Sequence, residues 1–465
     1  MTEETQKKYV RWEWWTIIAT MLGYAGYYFV RKNLSAALPA MEEQLGLTKA
    51  QLGIFLTLNG VIYGVSRFIN GMLADRVSGR KMMSIGLFLS ALVNLLICFS
   101  PKMNGFLGLF DAGGKATIVF VYVVGSLWMI NGYLQGMGVP PCHTIMANWI
   151  KPSELPFKMS IWNASHSLGA GVVVWLCGWI LHHYGYSAWN LCFLVPALIA
   201  ILTGSLVLFG VKDKPTELGF PPVEKMDMEK NTQAPKEEPV KDIELKGGEL
   251  NRFISEMVFK NPYIWILALT NFCLYVIRFT ILDWGVSIMT QFKEMDISMA
   301  STVVGASEVI GGITGMLLAG WLTNKLFQGR AHRTCFACML LSTVCFVIFW
   351  ISPSAAVSIV AVIMCAFFLY GPQALLGISA LMQATKHAAA SANGILGIFG
   401  YVSPLLSGVG FGLVADNFGW SGVLLIATVF GIIGTIIIAL MWNAPADGYA
   451  RGDAVLDKIG VRRFS

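Results

Sequence analysis

Charged residues are scarce in this 465-residue chain, at 13% of its positions, whereas a soluble domain carries roughly 25%. Hydrophobic residues make up 55%. They form recurrent apolar runs of about 20 residues, the length that a helix needs to cross a bilayer. An open sheet would leave unpaired edge groups in the hydrocarbon. The composition therefore predicts an all-α membrane protein.

The sequence also lacks a polar domain of any size. Its formal net charge is +6, but a nucleic-acid-binding protein gathers its basic residues on one polar face, and no segment here could form such a face. Acids and histidines in the apolar runs are too few to assemble a nucleophile with an acid–base pair, or a set of metal ligands. We therefore expect no enzyme, no cofactor, no metal and no nucleic-acid partner.

All nine cysteines fall within or at the ends of apolar runs. Cys335 and Cys338 have the spacing of half a zinc or redox site, but no second pair accompanies them. We interpret them as small apolar residues in helices.

Twelve apolar runs predict twelve transmembrane helices, and we expect the first to be retained rather than cleaved as a signal, since eleven more follow. The predicted helices lie near 14–38, 50–74, 82–100, 117–138, 157–182, 188–210, 262–291, 299–323, 334–352, 355–383, 388–414 and 421–443. A polar stretch divides them and is interpreted as a flexible linker. The predicted domains are a six-helix bundle at 1–210, a cytoplasmic linker at 211–261, a second six-helix bundle at 262–443 and a cytoplasmic tail at 444–465.

Lysine and arginine are distributed unequally between the two sides of the membrane. Without the linker, the segments on the side of the termini hold 16 of them and the opposite loops hold 4. Because cytoplasmic loops carry the excess of positive charge, we expect a multi-pass protein of the inner (plasma) membrane with both termini cytoplasmic. We expect a monomer that contacts the lipid bilayer.

The two halves repeat a short motif. Tyr28-x-x-Arg31 recurs 247 residues later as Tyr275-x-x-Arg278, in the first helix of each half. The repeat predicts duplication, and hence two pseudo-symmetric six-helix bundles. In transporters built from such repeats, the substrate site lies at mid-membrane between them.

A second repeat is the loop 71–81, which recurs in degraded form at 320–330. In the first copy an acid is followed by a basic cluster. Such a loop can form a charge latch between adjacent helices, and we expect the latch to consist of Asp75, Arg76, Arg80 and Lys81.

Two arginines, Arg31 and Arg278, lie inside predicted helices. An arginine at mid-membrane costs on the order of 3 kcal/mol on insertion scales. Its five N–H donors form a fork that fits phosphate or carboxylate, so two of them facing each other predict a site for a dianion such as phosphate. The alternative is that each arginine pairs with a buried acid, for which Glu308 and Asp283 are the candidates.

Other polar residues in the helices have two interpretations each. Arg67 either widens the positive field towards the site or extends to the inner surface. Lys32 points about 100° away from Arg31, and we leave it out of the site. His166 either bonds a neighbouring helix or contacts the ligand, since it titrates in the same range as phosphate. Aromatic and amide side chains that could line the cavity, or simply pack, are Tyr27, Tyr28, Trp128, Gln135, Tyr275 and Tyr370.

The loop and the predicted topology together resemble the major facilitator superfamily, and the helices resemble its organophosphate:phosphate antiporters over residues 10–443. The second resemblance rests on GYAGYYFVRKN (23–33), QGMGVPPC (135–142), WNASH (162–166), YVIRFTILDW (275–284) and YGPQ (370–373).

The resemblance implies exchange of an organic phosphate for inorganic phosphate. It also implies that Arg31 and Arg278 bind the phosphoryl group and that His166 assists. Hexose-phosphate carriers of the family have an Asp and a Lys in the eleventh helix, and 400–408 has neither. Glycerol 3-phosphate or a phosphoglycerate-type substrate is therefore favoured. The alternative is a membrane sensor for external hexose phosphate, since the family includes such a receptor.

The charge distribution leads to a first prediction, on topology. An epitope tag inserted in the linker or at either terminus should be reached only from the cytoplasmic side. The measurement is protease cleavage of the tag in intact cells and in inverted vesicles. Cleavage of the linker in intact cells would contradict the predicted orientation.

Overall fold

The computed structural model describes residues 3–74, 77–151, 154–221 and 248–460, and its regular structure is almost entirely helical. The main helices are α1 (Glu3–Leu45), α2 (Lys49–Ala74), α3 (Gly79–Cys98), α4 (Ile118–Gln135), α5 (Val139–Trp149), α6 (Leu155–Tyr184), α7 (Leu191–Gly210), α8 (Pro262–Gln291), α9 (Ile297–Ala306), α10 (Gly312–Lys325), α11 (Ala331–Ile351), α12 (Ala355–Val402), α13 (Phe411–Ala439) and α14 (Tyr449–Lys458). Shorter helical pieces are Ser100–Met103, Asn104–Leu107, Tyr186–Ala188, Pro215–Leu218, Gly248–Ile254, Ser255–Phe259, Ser307–Gly311 and Leu405–Gly410.

Within the described residues, ten helical stretches are long and apolar enough to cross a membrane. One of them, Ser391–Ala439, has 49 residues. At about 1.5 Å per residue it is more than twice as long as a hydrocarbon core of about 30 Å, so it accounts for two crossings. α1 is absent from the ten because its tyrosines and Arg31 lower its mean hydropathy. With α1 included, the structure provides the twelve predicted crossings.

Two breaks divide the longest helices at the places that the sequence predicts. Within α12 the backbone leaves the helical region at Thr385, whose φ is 61°. Within α13 it does so at Gly419, whose φ is 69°. Positive φ is costly for a residue with a Cβ and is readily adopted by glycine. Each break therefore separates two consecutive membrane crossings.

The first helix is longer than predicted, since α1 begins at Glu3 rather than near 14. Its added turns are polar and carry two exposed ion pairs, Lys7 with Glu3 and Lys8 with Glu4. Such (i, i+4) pairs stabilise a helix in water. The apolar run therefore marks only the membrane-crossing part of α1. The polar turns before it continue the helix outside the apolar run, where the ion pairs stabilise it.

The described residues form two compact units. The first comprises those within Met1–Ala234, Leu282–Val309 and Ser407–Asn417, and the second those within Pro235–Ile281, Ile310–Leu406 and Phe418–Ser465. Of the predicted linker, residues 222–247 lie outside the described residues. Its first part, 211–221, belongs to the first unit.

In the first unit, α1 packs against α6 and α7, while α2 packs against α4 and α3 against α7. Buried amides connect these helices. Asn33 Nδ2 donates to Asn94 Oδ1 on α3 (2.8 Å) and to the carbonyl of Cys192 on α7 (2.9 Å). Asn131 Nδ2 on α4 donates to the carbonyl of Val30 (2.8 Å). Side-chain hydrogen bonds between helices are favourable where no water competes, so these amides fix the position of α1.

Segments from later in the chain also pack in the first unit. A Cβ on Gly412 would lie 2.3 Å from the carbonyl oxygen of Lys49, so only glycine permits this approach of α13 to the start of α2. The Asp416 carboxylate accepts hydrogen bonds from the N–H groups of Lys49 (3.0 Å) and Ala50 (2.8 Å). An acid in this position satisfies the free N–H groups of a helix start and its dipole. Asp416 therefore caps α2.

In the second unit, α12 packs against α10 and α11. The tail helix α14 is attached through Glu256, which accepts from Lys260 (2.9 Å) and Lys458 (3.1 Å). These hydrogen bonds lower the pKa of the Glu256 carboxyl. The tightest helix contact is at Gly315 of α10, where a Cβ would lie 2.0 Å from the carbonyl oxygen of Phe367.

This contact gives a prediction about stability. Gly315→Ala should lower the free energy of unfolding by about 1–3 kcal/mol, because the added methyl group meets backbone that can move only with its helix. Gly320→Ala in the same helix is the matched control, since a Cβ there meets nothing within 4 Å. The measurement is the unfolding temperature of each purified variant in detergent. Equal temperatures for both variants would contradict the packing described.

Candidate functional site

Arg31 lies in an aromatic group in the first unit. Its guanidinium carbon is 3.9 Å from the ring centroid of Tyr63 on α2 and 5.7 Å from that of Tyr28, one turn earlier on α1. Cation–π contacts of this kind stabilise a guanidinium by about 0.5–2 kcal/mol. These contacts use the face of each ring and do not neutralise the positive charge of the guanidinium. Arg31 is half-exposed and Tyr63 is buried, so the arginine lies on a fixed aromatic surface.

A second aromatic stack lies beside this group. Tyr24 stacks on Trp162 of α6 at 4.9 Å between ring centroids, and it meets Tyr28 edge-on at 5.5 Å. His143 of α5 also packs edge-on against Trp162, at 5.6 Å between ring centroids. The Arg67 guanidinium interacts electrostatically with both Tyr24 and His143. Arg67 thus belongs to the same part of the unit as Arg31.

His166 follows Trp162 by about one turn of α6, and its ring centroid is 6.0 Å from that of Tyr28. Nδ1 contacts the carbonyl oxygen of Asn163, and Nε2 is 3.2 Å from Ser167 Oγ. A carbonyl oxygen only accepts, so Nδ1 carries the hydrogen and Nε2 accepts from the serine hydroxyl. Protonation of the ring would convert Nε2 into a donor, which is what an anionic ligand requires.

Arg278 has corresponding surroundings in the second unit. It is buried, and its Nη2 donates to Tyr370 Oη at 3.2 Å. Its guanidinium carbon lies 5.2 Å from the ring centroid of Tyr370, 5.7 Å from that of Tyr275 and 5.8 Å from that of Phe279. Tyr275 precedes Arg278 by three residues, as Tyr28 precedes Arg31. The repeated motif therefore forms the same Tyr–Arg contact, with an equal 5.7 Å separation, in each unit. Convergence of the two arginines on one ligand stays a prediction.

An ion pair that the sequence did not predict lies in the first unit. Lys32 Nζ is 2.5 Å from Asp283 Oδ1, and both side chains are at least nine-tenths buried. Ser35 Oγ donates to the same carboxylate oxygen at 3.0 Å. Asp283 thus pairs with Lys32, not with an arginine as the alternative interpretation allowed. The sequence could have predicted this pair, because ionisable residues within membrane helices tend to pair with each other.

Three residues predicted near the ligand contact neighbouring helices in the structure. The Tyr27 hydroxyl donates to the carbonyl of Met83 at 2.7 Å. Trp128 is buried and meets Phe193 edge-on. Gln135 is buried, with Nε2 3.5 Å from Ser90 Oγ. Among the described contacts, none connects these three side chains to the aromatic group around Arg31. Each side chain contacts a neighbouring helix of the bundle.

Half of the predicted latch, Asp75 and Arg76, lies outside the described residues. Arg80 pairs with two acids in the segment after α7, Asp213 (3.9 Å) and Glu217 (3.5 Å), and its backbone N–H donates to Asp213 (2.8 Å). Lys81 is exposed. The described part of the loop therefore attaches residues 211–221 to the start of α3, a role that the sequence did not predict.

Comparison with known proteins fixes the family. The family model described as Major Facilitator Superfamily matches residues 20–408. The glycerol-3-phosphate transporter of Bacillus subtilis is 33% identical over 429 residues, which cover 92% of this chain and 91% of that protein. The chain belongs to the organophosphate:phosphate antiporter family of the major facilitator superfamily. This is a family of membrane transporters and not of enzymes.

Two further comparisons show the breadth of this family and of its fold. The membrane sensor protein UhpC of Salmonella typhimurium is 32% identical over 425 residues, covering 90% of this chain and 89% of the sensor. A bacterial homolog of the human lysosomal transporter Spinster, in an inward-facing and occupied conformation, superposes with a TM-score of 0.72 at 12% identity. It covers 93% of this chain and 97% of its own. The second likeness confirms the predicted fold.

The buried ion pair gives a prediction about stability. Asp283→Leu should destabilise the protein by about 3–5 kcal/mol, because it leaves the Lys32 ammonium buried without its counter-charge. Lys32→Met should have a comparable effect through the carboxylate that remains. The double variant should recover most of the loss, since it removes both charges. The measurement is a double-mutant cycle of unfolding free energies in detergent, and additive losses would contradict a direct interaction.

Proposed function

We propose that this protein is a secondary active antiporter that exchanges an organic phosphate ester for inorganic phosphate by alternating access. The observation that carries the proposal is the repeated arrangement of arginine on aromatic rings. Each half supplies one guanidinium, at the same place in its first helix, and each guanidinium contacts ring faces. Two such groups acting on one ligand would form a receptor for a dianion.

The arginine surroundings support phosphate as the common ligand. A guanidinium offers parallel N–H donors that match two phosphate oxygens. Tyr370 orients Arg278 through its hydroxyl, and the ring of Tyr63 supports the guanidinium of Arg31. His166 adds a donor when its ring is protonated. Inorganic phosphate and a phosphate ester present the same oxygens, so one receptor serves both substrates.

Electrostatics accounts for exchange rather than uniport. Two guanidinium charges about 4 Å apart repel each other by about 4 kcal/mol at an effective dielectric constant of 20. The empty carrier must overcome this repulsion to close the site, whereas a bound phosphate dianion reverses its sign. Since about 1.4 kcal/mol changes an equilibrium tenfold, reorientation of the loaded carrier is strongly favoured over that of the empty one.

The proposed substrate is glycerol 3-phosphate or a phosphoglycerate-type ester. Residues 400–408 contain neither acid nor lysine, which the resemblance associates with hexose phosphate carriers. The proposed location is the inner membrane with both termini in the cytoplasm, as the loop charges indicate. The proposed working form is a monomer, because each half supplies one arginine of the pair.

The alternative is a membrane sensor for external hexose phosphate. It is favoured by the 32% identity to the sensor protein UhpC, which is similar to the identity with the glycerol-3-phosphate transporter. A sensor would bind the anion without carrying it across the bilayer. Counterflow in proteoliposomes distinguishes the two, because only a carrier accumulates labelled substrate against an unlabelled internal pool.

The arginine site predicts a kinetic phenotype. Arg31→Lys and Arg278→Lys should each lower the rate of phosphate exchange by about a hundredfold or more, because lysine keeps the charge but loses the bidentate fork. The measurement is uptake of labelled phosphate into proteoliposomes loaded with unlabelled phosphate. Arg11→Lys is the control. Because Arg11 is exposed, this variant should exchange phosphate at the normal rate.

Two results would contradict the proposal. Equal initial uptake rates into vesicles with and without internal phosphate would rule out obligate exchange. Near-normal exchange in either site variant, with the control also normal, would show that guanidinium geometry does not bind the substrate.

A further inference from the structure

The first unit carries positive charge at two levels along α2: Arg31 lies over the ring of Tyr63, and Arg67 follows Tyr63 by one helical turn. We propose that Arg67 and His143 form a second anion subsite, which binds a carboxylate carried by the organic phosphate while Arg31 binds its phosphoryl group. This inference rests on the proposed function and narrows its substrate class. It selects three-carbon phosphate esters with a terminal carboxylate over glycerol 3-phosphate, which has none.

Helix geometry sets the spacing of the two levels. Arg31 lies over the ring of Tyr63 at 3.9 Å, and Arg67 follows Tyr63 by four residues in α2. Residues four apart lie on the same face of a helix, separated by about 6 Å along its axis. The Arg67 side chain therefore starts one turn away from the ring that supports Arg31. A carboxylate at the end of a three-carbon chain lies at a similar distance from the phosphorus atom.

His143 joins Arg67 at this second level. Its ring packs edge-on against the indole of Trp162 (5.6 Å), which fixes its position. The Arg67 charge acts on His143 and also on Tyr24, which stacks on the same indole. The charge of Arg31 acts on Tyr24 as well. One aromatic stack thus connects the Arg31 level with the Arg67–His143 level.

Both members of the second level reach solvent. Arg67 and His143 are exposed although they belong to apolar membrane-crossing stretches, and ionisable residues at such places normally face a water-filled cavity. Beside Arg67, α2 is held to the end of α4, because Ser66 Oγ donates to the carbonyl of Tyr133 and a Cβ on Gly136 would lie 2.2 Å from Ser66 Oγ. Gly136 precedes α5 by three residues, and α2 also packs against α5, which carries His143.

The chemistry of the pair suits a carboxylate. The Arg67 fork donates two parallel N–H bonds to a planar anion, and the imidazole of His143 supplies a further N–H from a second helix. The other interpretation is that Arg67 extends to the inner surface and that His143 only packs on Trp162. In that case neither side chain would distinguish one phosphate ester from another.

The test compares three substrates with the full-length protein in phosphate-loaded proteoliposomes. KM is measured for labelled 3-phosphoglycerate, glycerol 3-phosphate and inorganic phosphate in the wild type, His143→Ala and His143→Gln. His183→Ala is the control, since His183 is exposed and lies on Trp179 at the far end of α6. We expect His143→Ala to raise the ratio of KM for 3-phosphoglycerate to KM for glycerol 3-phosphate roughly tenfold. His143→Gln, which keeps an N–H donor, should raise the ratio by a smaller factor. His183→Ala should leave the ratio unchanged.

Two outcomes would overturn the inference and leave the proposed antiport intact. One is an unchanged ratio in both His143 variants. The other is a wild type that exchanges phosphate and glycerol 3-phosphate but not 3-phosphoglycerate. A wild type that exchanges no phosphate at all would instead overturn the proposed function and the subsite with it. If His143→Ala fails to fold, the glutamine variant carries the comparison, since partial loss of selectivity is expected there too.

Discussion

The free energy of placing a charge among apolar side chains and lipid governs this structure. Each ionisable group within the membrane helices needs either a counter-charge or a polarisable surface. Lys32 and Asp283 use the first solution, and a serine hydroxyl completes it. Tyrosine rings supply a polarisable surface for Arg31 and Arg278, which lie against them. The same constraint thus accounts for a neutral buried pair and for two arginines held against aromatic rings.

The second solution matters because it does not cancel the charge it stabilises. A ring face attracts the cation through its quadrupole and leaves the N–H edge of the guanidinium accessible. Tyr63 and Tyr370 therefore each hold an arginine in place, and in the proposed antiport they would also preserve its affinity for phosphate.

Much of the fold could be predicted from the sequence, because lipid imposes a length and a composition on each crossing. The breaks near Thr385 and Gly419 followed from polar interruptions of the apolar runs, and the repeated Tyr-x-x-Arg followed from direct comparison of the halves. Contacts between helices were harder to predict. Helical spacing shows that Lys32 points away from Arg31, but it does not reveal the partner that lies there. Tyr27 and Gln135 were assigned to the site because of their chemistry, whereas neighbouring helices use their polar atoms. His143 carried no signal in the sequence, because its proximity to Arg67 depends on how α2 packs beside α4 and α5.

The cap that Asp416 provides for α2 has a consequence for the order of synthesis. Asp416 is made 367 residues after Lys49, and Asp283 is made 251 residues after Lys32. The first six helices thus enter the membrane before the groups that complete their polar contacts exist. Until then the N–H groups at the start of α2 lack the Asp416 acceptor, and Lys32 lacks the counter-charge of Asp283. The nascent first half is therefore an unfinished fold, and its final packing is set only when the last helices have been translated.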